Sequence, residues 1–353
     1  MPDEHPLVIR FGAFGDMVMI TSLLDRLTQR CGMPCDVVGT GNWTRTMYQH
    51  LPFVRNVYTI KSRSAPYFLS GDKQKLVKTI RQHDYRYVWL LETNNNSLKL
   101  AKRAGITHSI NPIDFPRGSD EQTTEHWFRL ANETPEGFGF PRDDSRACDT
   151  YLTASEEEID ECRAWLTNRD IEPDSRIVCI QAGNKKTMKF GRKDRNSNTK
   201  YWHQRNWAAV IDAIHASDPD TQILLCGVPA ELAMTRDIRE LCADKQRTHC
   251  VADELPMRRL FALLSIADSC ISVDTGPAHA SAALGCNTTI LYAKADARMC
   301  SPITTDARVE RLYGRIPGSE LGEGPASWAD AHDIKLIEPE TVYDAWCRST
   351  AQD

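Results

Sequence analysis

Residues 271–279 read Ile-Ser-Val-Asp-Thr-Gly-Pro-Ala-His and are the most informative stretch of this 353-residue chain. The apolar run from Cys270 to Val273 predicts a buried strand. Pro277 predicts the first turn of a helix, because its missing N–H group has no helical partner to lose there. A strand that enters a helix through a glycine turn is typical of parallel α/β sheets, which bind ligands beyond the carboxyl ends of their strands. The stretch therefore predicts an α/β fold with a ligand site at this turn.

The chemistry of this turn suits a nucleotide. The N–H groups of Thr275 and Gly276, together with the helix dipole, would favour a phosphate group. Asp274 would repel a phosphate, so we expect it to accept hydrogen bonds from sugar or ribose hydroxyls, or to cap the helix. His279 falls within the first helical turns, where a plain packing role is the alternative to ligand binding.

Strand-like and helix-like runs alternate on both sides of this turn, which predicts mostly parallel sheets covered on both faces. The predicted strands are Leu7–Phe11, Cys35–Val38, Val54–Ile60, Tyr87–Leu91, Arg176–Gln181, Gln222–Cys226, Cys270–Val273 and Thr288–Tyr292. The predicted helices include Lys73–Gln82, Trp202–His215, Glu231–Cys242, Pro256–Ala267, Pro277–Leu284 and Glu338–Cys347.

The alternation is interrupted between Thr134 and Thr150, where glycine, proline and acidic residues predict a linker. It resumes with a helix that Ser155 can cap, because Glu158 stands three residues further on. A chain of this length is typical of about two domains. The sequence therefore predicts two Rossmann-like, doubly wound α/β domains that face a central cleft.

The composition excludes several functional classes. Hydrophobic residues make up 41% and charged residues 26%, and a net charge of −5 provides no chain-wide basic field for nucleic acid. No apolar run approaches the ~18 residues of a spanning helix and no secretory signal is recognisable, so we expect a cytoplasmic protein. The 12 cysteines show no Cys-x-x-Cys spacing, so we expect small buried side chains rather than a zinc site.

A second strand-to-helix turn, Gly12-Ala13-Phe14-Gly15-Asp16, follows the first predicted strand. Gly12 and Gly15 would let the backbone approach a ligand closely. The third glycine of the dinucleotide fingerprint is missing, which makes an NAD site a weak interpretation. Asp16 has two roles open to it, a helix cap or a catalytic carboxylate.

The segment 183–200 concentrates positive charge after another predicted strand. Its cations are Lys185, Lys186, Lys189, Arg192, Lys193, Arg195 and Lys200, against the single acid Asp194. In an acidic protein this concentration indicates contact with a polyanion, either a pyrophosphate or a phosphorylated acceptor. A solvated surface loop is the alternative for most of these side chains. Lys200 differs because it borders Tyr201 and Trp202 at the start of a predicted helix.

Together these features resemble glycosyltransferase family 9, the heptosyltransferases of lipopolysaccharide core assembly. The resembling stretches are Leu7–Leu24, Lys200–Trp207, Gln222–Glu231 and Leu260–Pro302. The resemblance implies a GT-B fold with an acceptor-binding domain at 1–165 and a nucleotide-sugar-binding domain at 166–337. A C-terminal helix within 338–353 would cross back onto the first domain. The family inverts the anomeric centre, needs no metal or other cofactor, and usually takes ADP-heptose as donor.

The resemblance also implies roles for individual residues. Asp16 matches the proposed general base, and Lys200 matches the lysine that meets the donor phosphates. The nucleotide-binding turn is matched by Asp274, Thr275, Gly276 and His279, and an acid that contacts the donor nucleoside is matched by Glu231. The candidate contacts to phosphate or acceptor are Gly12, Gly15, Lys185, Lys186 and Lys189.

The implied partners are a nucleotide-sugar donor and a lipid-linked saccharide acceptor of the Kdo–lipid A type, with no nucleic acid. An acceptor in the inner leaflet would bring the protein to the cytoplasmic face of the inner membrane as a peripheral protein. The candidate membrane contacts are aromatic and basic residues in irregular stretches of the first domain, namely Arg63, Tyr67, Phe68, Phe115 and Arg117.

One segment departs from the family pattern, since residues 293–297 read Ala-Lys-Ala-Asp-Ala where the family commonly has Gly-Pro-Thr-Asp-Pro. This change leaves the donor sugar and nucleotide open. Three alternatives to transfer onto lipopolysaccharide remain: a nucleotide-sugar epimerase, a heptosyltransferase with a protein acceptor, and a non-catalytic sugar-nucleotide-binding protein. Asp218-Pro219-Asp220 precedes a strand and is interpreted as a turn rather than a metal motif.

Overall fold

The computed structural model describes residues 2–135, 137–140, 148–172, 174–190, 198–320 and 325–351. These residues form two compact units, Met1–Leu152 and Thr153–Asp353. The boundary therefore precedes the helix at Glu156–Thr167, whereas the sequence prediction had placed most of that helix in the first domain. The helix lies in the second unit because it packs on Met257–Ile266, where a salt bridge of 2.5 Å joins Arg258 to Glu158.

The first unit is built on a four-stranded parallel sheet in the order β3-β2-β1-β4. Its elements are β1 (Leu7–Ile9), α1 (Phe14–Met19), α2 (Thr21–Cys31), β2 (Cys35–Thr40), α3 (Trp43–Tyr48), β3 (Val54–Ile60), α4 (Gly71–His83), β4 (Val88–Leu90), α5 (Asn95–Arg103) and α6 (Thr123–Asn132). A 3-10 turn at Tyr67–Leu69 precedes α4.

Both faces of this sheet are covered at its centre, where β1 and β4 are apolar and buried at every position. Leu7 and Ile9 of β1 share one core with Ile80 of α4 and Leu100 of α5. Val8 points to the opposite face and is fully buried as well. Fully apolar strands of this kind are typical of parallel sheets between two layers of helices.

The second unit is built on a six-stranded parallel sheet in the order β10-β9-β8-β5-β6-β7. Its elements are α7 (Glu156–Thr167), β5 (Ile177–Gln181), α8 (Lys185–Phe190), α9 (Gln204–Ser217), β6 (Gln222–Leu225), α10 (Leu232–Leu241), β7 (Thr248–Cys250), α11 (Met257–Ile266), β8 (Ser269–Val273), α12 (Gly276–Ala283), β9 (Asn287–Tyr292), α13 (Ala297–Cys300), β10 (Val309–Tyr313), α14 (Pro325–Ala331) and α15 (Pro339–Thr350). All eight predicted strands are present in the two units.

Each sheet reverses its strand order at one point. In the first unit β2 and β3 lie on one side of β1, and β4 lies on the other. In the second unit β6 and β7 lie on one side of β5, and β8 lies on the other. Open α/β sheets bind ligands at such reversals, beyond the carboxyl ends of the strands. The two turns singled out in the sequence, after β1 and after β8, both lie at a reversal.

The C-terminal helix α15 packs within the second unit, which corrects the expectation that it crosses back onto the first domain. It contacts α9 and the strands β8, β9 and β10. Trp346 is buried, and its indole Nε1 donates to Ser269 Oγ at 2.9 Å. Val342 and Ala345 are fully buried in the main core of the unit. The apolar stripe of α15 therefore packs on the second sheet.

Two local expectations have different outcomes. The Ser155 cap is confirmed, because Ser155 Oγ accepts from the Glu158 N–H at 3.3 Å and Glu158 Oε2 accepts from the Ser155 N–H at 2.9 Å. The basic segment is not simply a loop, since residues 185–190 form α8. Within the described ranges, no helix is both long enough and apolar enough to cross a bilayer.

Candidate functional site

The turn after β8 holds a buried carboxylate paired with a cation. The side chain of Asp274 is 9% exposed, and its Oδ2 lies 2.5 Å from Lys200 Nζ. The same ammonium group also donates to the Asp274 backbone carbonyl. His279 Nε2 lies 3.9 Å from Asp274 Oδ1, and His279 is itself buried. The fold thus brings Lys200, which lies 74 residues earlier in the chain, to the predicted site residues Asp274 and His279.

Two opposing effects act on the Asp274 carboxyl group. Burial alone would raise its pKa, but His279 and Lys200 outweigh burial and lower the pKa to about 2. The carboxylate is therefore ionised throughout the physiological range. Its charge keeps the Lys200 side chain, which is 34% exposed, in place at the start of α12.

The backbone next to Lys200 is fixed by the buried side chain of Trp202. Trp202 is buried, packs edge-on against Trp207 at 4.9 Å, and donates from its indole Nε1 to the Ile337 carbonyl at 3.0 Å. Thr275 is the N-cap residue of α12, and Gly276 is its first residue. A lysine ammonium and a helix start that converge in this way form a binding site suited to a diphosphate.

Glu231 forms a second buried carboxylate beyond β5 and β6. Thr187 Oγ1 donates to its Oε1 at 2.6 Å, and the Val228 N–H and Gln181 Nε2 donate to its Oε2 at 3.1 and 3.5 Å. Burial raises the pKa of Glu231 despite these donors. A β-carbon on Gly183 would lie 2.0 Å from Glu231 Oε1, so the carboxylate needs a glycine beside it.

The structure describes the side chains of only part of the basic segment. Lys185 and Lys186 are exposed on α8, whose neighbour in the fold is the 3-10 turn that carries Glu231. Two parts of this prediction lie outside the described residues: the side chain of Lys189 and the whole of 191–197. The part of the segment that is described therefore sits beside the candidate nucleotide site.

Asp16 occupies the third residue of α1 and does cap this helix. Its Oδ2 accepts from the Ala13 N–H at 2.8 Å, and its Oδ1 lies 3.4 Å from Arg10 Nη2. The carboxylate is 34% exposed, so it is open to a second molecule as well. A β-carbon on Gly12 would lie 2.5 Å from Asp16 Cβ, which explains the need for this glycine, and Gly15 is the second residue of the helix.

The structure adds a partner to Asp16 that sequence reasoning missed. Arg10 reaches both Asp16 and the buried carboxylate of Glu92, whose Oε1 lies 3.6 Å from Arg10 Nη1. Glu92 Oε1 also accepts from the Phe11 N–H at 2.9 Å, and Arg10 Nη1 donates to the Leu91 carbonyl at 2.8 Å. The signal available in the sequence was an acidic residue at the end of an apolar strand.

The segment that departs from the family pattern begins a short helix. Asp296 Oδ1 accepts from the Arg298 N–H at 3.0 Å and so caps α13. The same carboxylate forms a salt bridge of 2.8 Å with the Arg298 guanidinium group, which lies 5.0 Å from the centre of the Trp328 ring. Within the described residues, no group of three or more His, Cys, Asp or Glu side chains is arranged to bind a metal ion. Metal independence stays a prediction.

Comparisons with known proteins agree with this architecture. The family model for glycosyltransferase family 9 (heptosyltransferase) matches residues 120–317, more than half of the chain. Lipopolysaccharide heptosyltransferase 2 of Escherichia coli K12 is 21% identical over 326 residues, which cover 90% of this chain and 92% of that protein.

Solved structures confirm the fold predicted from the sequence. A family 9 glycosyltransferase from Veillonella parvula matches with a TM-score of 0.78 at 14% identity, over 99% of this chain and 98% of that one. The E. coli ADP-heptose lipopolysaccharide heptosyltransferase II matches with a TM-score of 0.70 at 18% identity, over 98% of each chain. The fold is therefore that of the GT-B heptosyltransferases.

Proposed function

We propose that this chain, which belongs to glycosyltransferase family 9, transfers a heptose from ADP-heptose to an inner-core acceptor of lipopolysaccharide. Family membership makes the chain a glycosyltransferase. The donor and acceptor are our proposal, supported by the likeness to lipopolysaccharide heptosyltransferases of E. coli that are 18–21% identical. We further propose that the reaction inverts the anomeric centre and uses no metal ion.

The observation that carries the proposal is the Lys200–Asp274 pair at the start of α12. Cleavage of the bond between the anomeric carbon and the diphosphate leaves negative charge on the leaving ADP. A cation fixed by a buried carboxylate, next to the N–H groups of Thr275 and Gly276, can stabilise that charge without reorganisation. Lys185 and Lys186 on the neighbouring α8 would add to the positive potential around the leaving group.

Asp16 is the residue we assign to proton removal. As the acceptor hydroxyl oxygen attacks the anomeric carbon, its proton would pass to the Asp16 carboxylate. Arg10 and the Ala13 N–H hold this carboxylate in place before the reaction. The cap and the catalytic role are compatible, because a carboxylate oxygen has lone pairs left after one hydrogen bond.

Glu231 is the residue we assign to the donor nucleoside. Its buried carboxylate is surrounded by hydrogen-bond donors and two glycines, Gly183 and Gly227. A carboxylate held in this way can accept hydrogen bonds from ribose hydroxyls, as the acid of the dinucleotide fold does. The buried cluster of Glu231, Thr187 and Gln181 would therefore read the sugar part of the nucleotide rather than its phosphates.

The proposal is tested first by calorimetric titration of the purified protein with ADP, UDP, GDP and CDP in the presence of EDTA. Selective binding of ADP supports the donor, and transfer from ADP-heptose to Kdo–lipid A in EDTA then tests acceptor and metal independence. Preference for another nucleotide would overturn the donor. Selective ADP binding without any transfer to the lipid acceptor would overturn the acceptor. The Asp16→Asn variant is the matched control, since it should bind ADP normally and fail to transfer.

A further inference from the structure

One region of the first unit has a charge opposite to that of the whole chain. Residues 61–103 contain ten lysine and arginine residues against three acidic residues, a local net charge of +7 in a chain of net charge −5. Of the three acids, Glu92 is buried and the Asp72 carboxylate accepts a hydrogen bond from the Lys61 N–H. Asp84 is the one exposed acid of the three. This region therefore presents a strongly positive field to solvent.

Six of the positive charges lie on the outer sides of α4 and α5, and two lie in the segment before α4. The inner sides of the two helices share one apolar core, through Leu76 and Ile80 of α4 and Leu100 and Ala104 at α5. Arg86 is exposed as well, but it forms a salt bridge of 3.5 Å with Glu4. The other exposed cations are Lys61, Arg63, Lys75, Lys78, Arg81, Lys99, Lys102 and Arg103. Among the described residues, none of these eight forms a salt bridge with a carboxylate. We call them, together with the turn described next, the basic face.

Two large apolar side chains project from the basic face. Phe68 is 75% exposed and Leu69 is 73% exposed, and both belong to the 3-10 turn Tyr67–Leu69. The turn is held in place, because Gln74 Nε2 donates to the Tyr67 and Phe68 carbonyls at 3.2 Å each. The Arg103 guanidinium group lies 4.8 Å from the centre of the Tyr67 ring. Adjacent apolar side chains on a fixed turn, with cations on either side, are an unusual arrangement for a surface exposed to water.

We propose that the basic face docks on a bilayer that contains anionic phospholipids, with Phe68 and Leu69 inserted among the acyl chains at the headgroup boundary. The cations would meet lipid phosphates, and the two apolar side chains would leave water. A nucleic acid would satisfy the cations, but it offers no apolar layer for Leu69. An anionic bilayer offers both phosphates for the cations and an apolar layer for Phe68 and Leu69, so it fits this surface better than a nucleic acid does.

The 3-10 turn Tyr67–Leu69 lies at the same edge of the sheet as Asp16, the residue assigned to proton removal. The turn follows the carboxyl end of β3, and the Gly12–Asp16 turn follows the carboxyl end of β1 in the same parallel sheet. Phe68 and Leu69 would thus insert into the bilayer at the same sheet edge that carries Asp16. Only this link to a lipid-linked acceptor rests on the proposed function, because docking itself requires neither ADP-heptose nor transfer.

The test is flotation of the full-length protein with phosphatidylcholine vesicles, with and without about 30% phosphatidylglycerol. We expect binding only to the anionic vesicles, and loss of binding at high salt. Replacing Lys75 and Lys78 together by Glu should weaken binding at least tenfold, since each cation near an anionic surface contributes about fivefold. The matched control reverses two exposed cations of the second unit, Arg236 and Lys335, which should change binding much less.

A second pair of variants tests the apolar part. Phe68→Ser with Leu69→Ser should weaken vesicle binding about tenfold or more while leaving the thermal unfolding midpoint unchanged, because both side chains are exposed. Leu336→Ser is the control, an exposed leucine beside a lysine in the second unit. Equal binding to neutral and anionic vesicles, no binding to either, or binding unaffected by the Phe68 and Leu69 changes would each overturn the proposal. Vesicle binding is measured without donor, so its failure leaves the proposed transfer activity untouched.

Discussion

Replacing Lys200 by Met removes the cation beside Asp274 and keeps most of the side-chain volume. Asp274 has its pKa lowered from 3.8 to about 2, which corresponds to about 2 kcal/mol of stability at neutral pH. Lys200 and His279 share this effect, so the loss of Lys200 should lower the free energy of unfolding by about 1 kcal/mol. Because the folded-state pKa is the lower one, this stability is present above the unfolded pKa and is lost as the pH falls towards 2.

The larger effect is expected on nucleotide binding. Loss of charge-assisted hydrogen bonds to a diphosphate costs about 1.5–3 kcal/mol, which raises the Kd for ADP by about 10- to 100-fold. Isothermal titration of wild-type and Lys200→Met protein with ADP measures this change, and urea unfolding measures the stability. Lys335→Met is the matched control, an exposed lysine of the same unit that should change neither quantity.

A double-mutant comparison separates direct contact from positioning. If Lys200 binds the diphosphate itself, Lys200→Met should weaken ADP binding in the Asp274→Asn background as well as in the wild type. If Lys200 acts only by holding Asp274, the second substitution should add nothing to Asp274→Asn. An ADP Kd for Lys200→Met within about twofold of the wild-type value would refute the assignment of this lysine to the donor phosphates.

Asp16→Asn should lower kcat by about 100-fold or more with little change in ADP affinity, since the amide oxygen can still cap α1 but cannot take the proton. Single-turnover transfer assays measure this change, and a rate close to that of the wild type would contradict the assignment of Asp16 as the base. Asp36 is fully buried among donors, so Asp36→Asn should cost about 3 kcal/mol in urea unfolding at neutral pH. Burial would raise the pKa of Asp36, but its donors lower it, so the variant should lose less stability than wild type on acidification. Gly183→Ala places a β-carbon 2.0 Å from Glu231 Oε1 and should weaken ADP binding about tenfold, whereas Gly71→Ala, with open space around it, should not.

The central strands and the turns that follow them could be predicted because their pattern is local. β1, β5 and β8 are mostly apolar, fully buried runs, and each is followed by a glycine turn that leads into a helix. The edge strands β7 and β10 escaped prediction because they carry polar residues such as His249, Glu310 and Arg311. An edge strand has a neighbour on one side only, so it needs fewer apolar positions.

The partners of the site residues depend on strand order, which is not a local property. Arg10 meets Glu92 because β4 lies beside β1, although β2 and β3 intervene in sequence. Thr187 meets Glu231 because the segments after β5 and β6 converge at one edge. The helical character of α15 could be predicted from its apolar stripe, but the sheet that it covers could not, since Trp346 and Val342 would suit either core.

The packing of α15 also has a consequence for the order of events during synthesis. A ribosome makes this helix after every strand that it covers, so β8, β9 and β10 emerge before the side chains of Trp346 and Val342 that shield them. The nascent second unit therefore passes through a period with an uncovered apolar surface, in which chaperones would find their binding site.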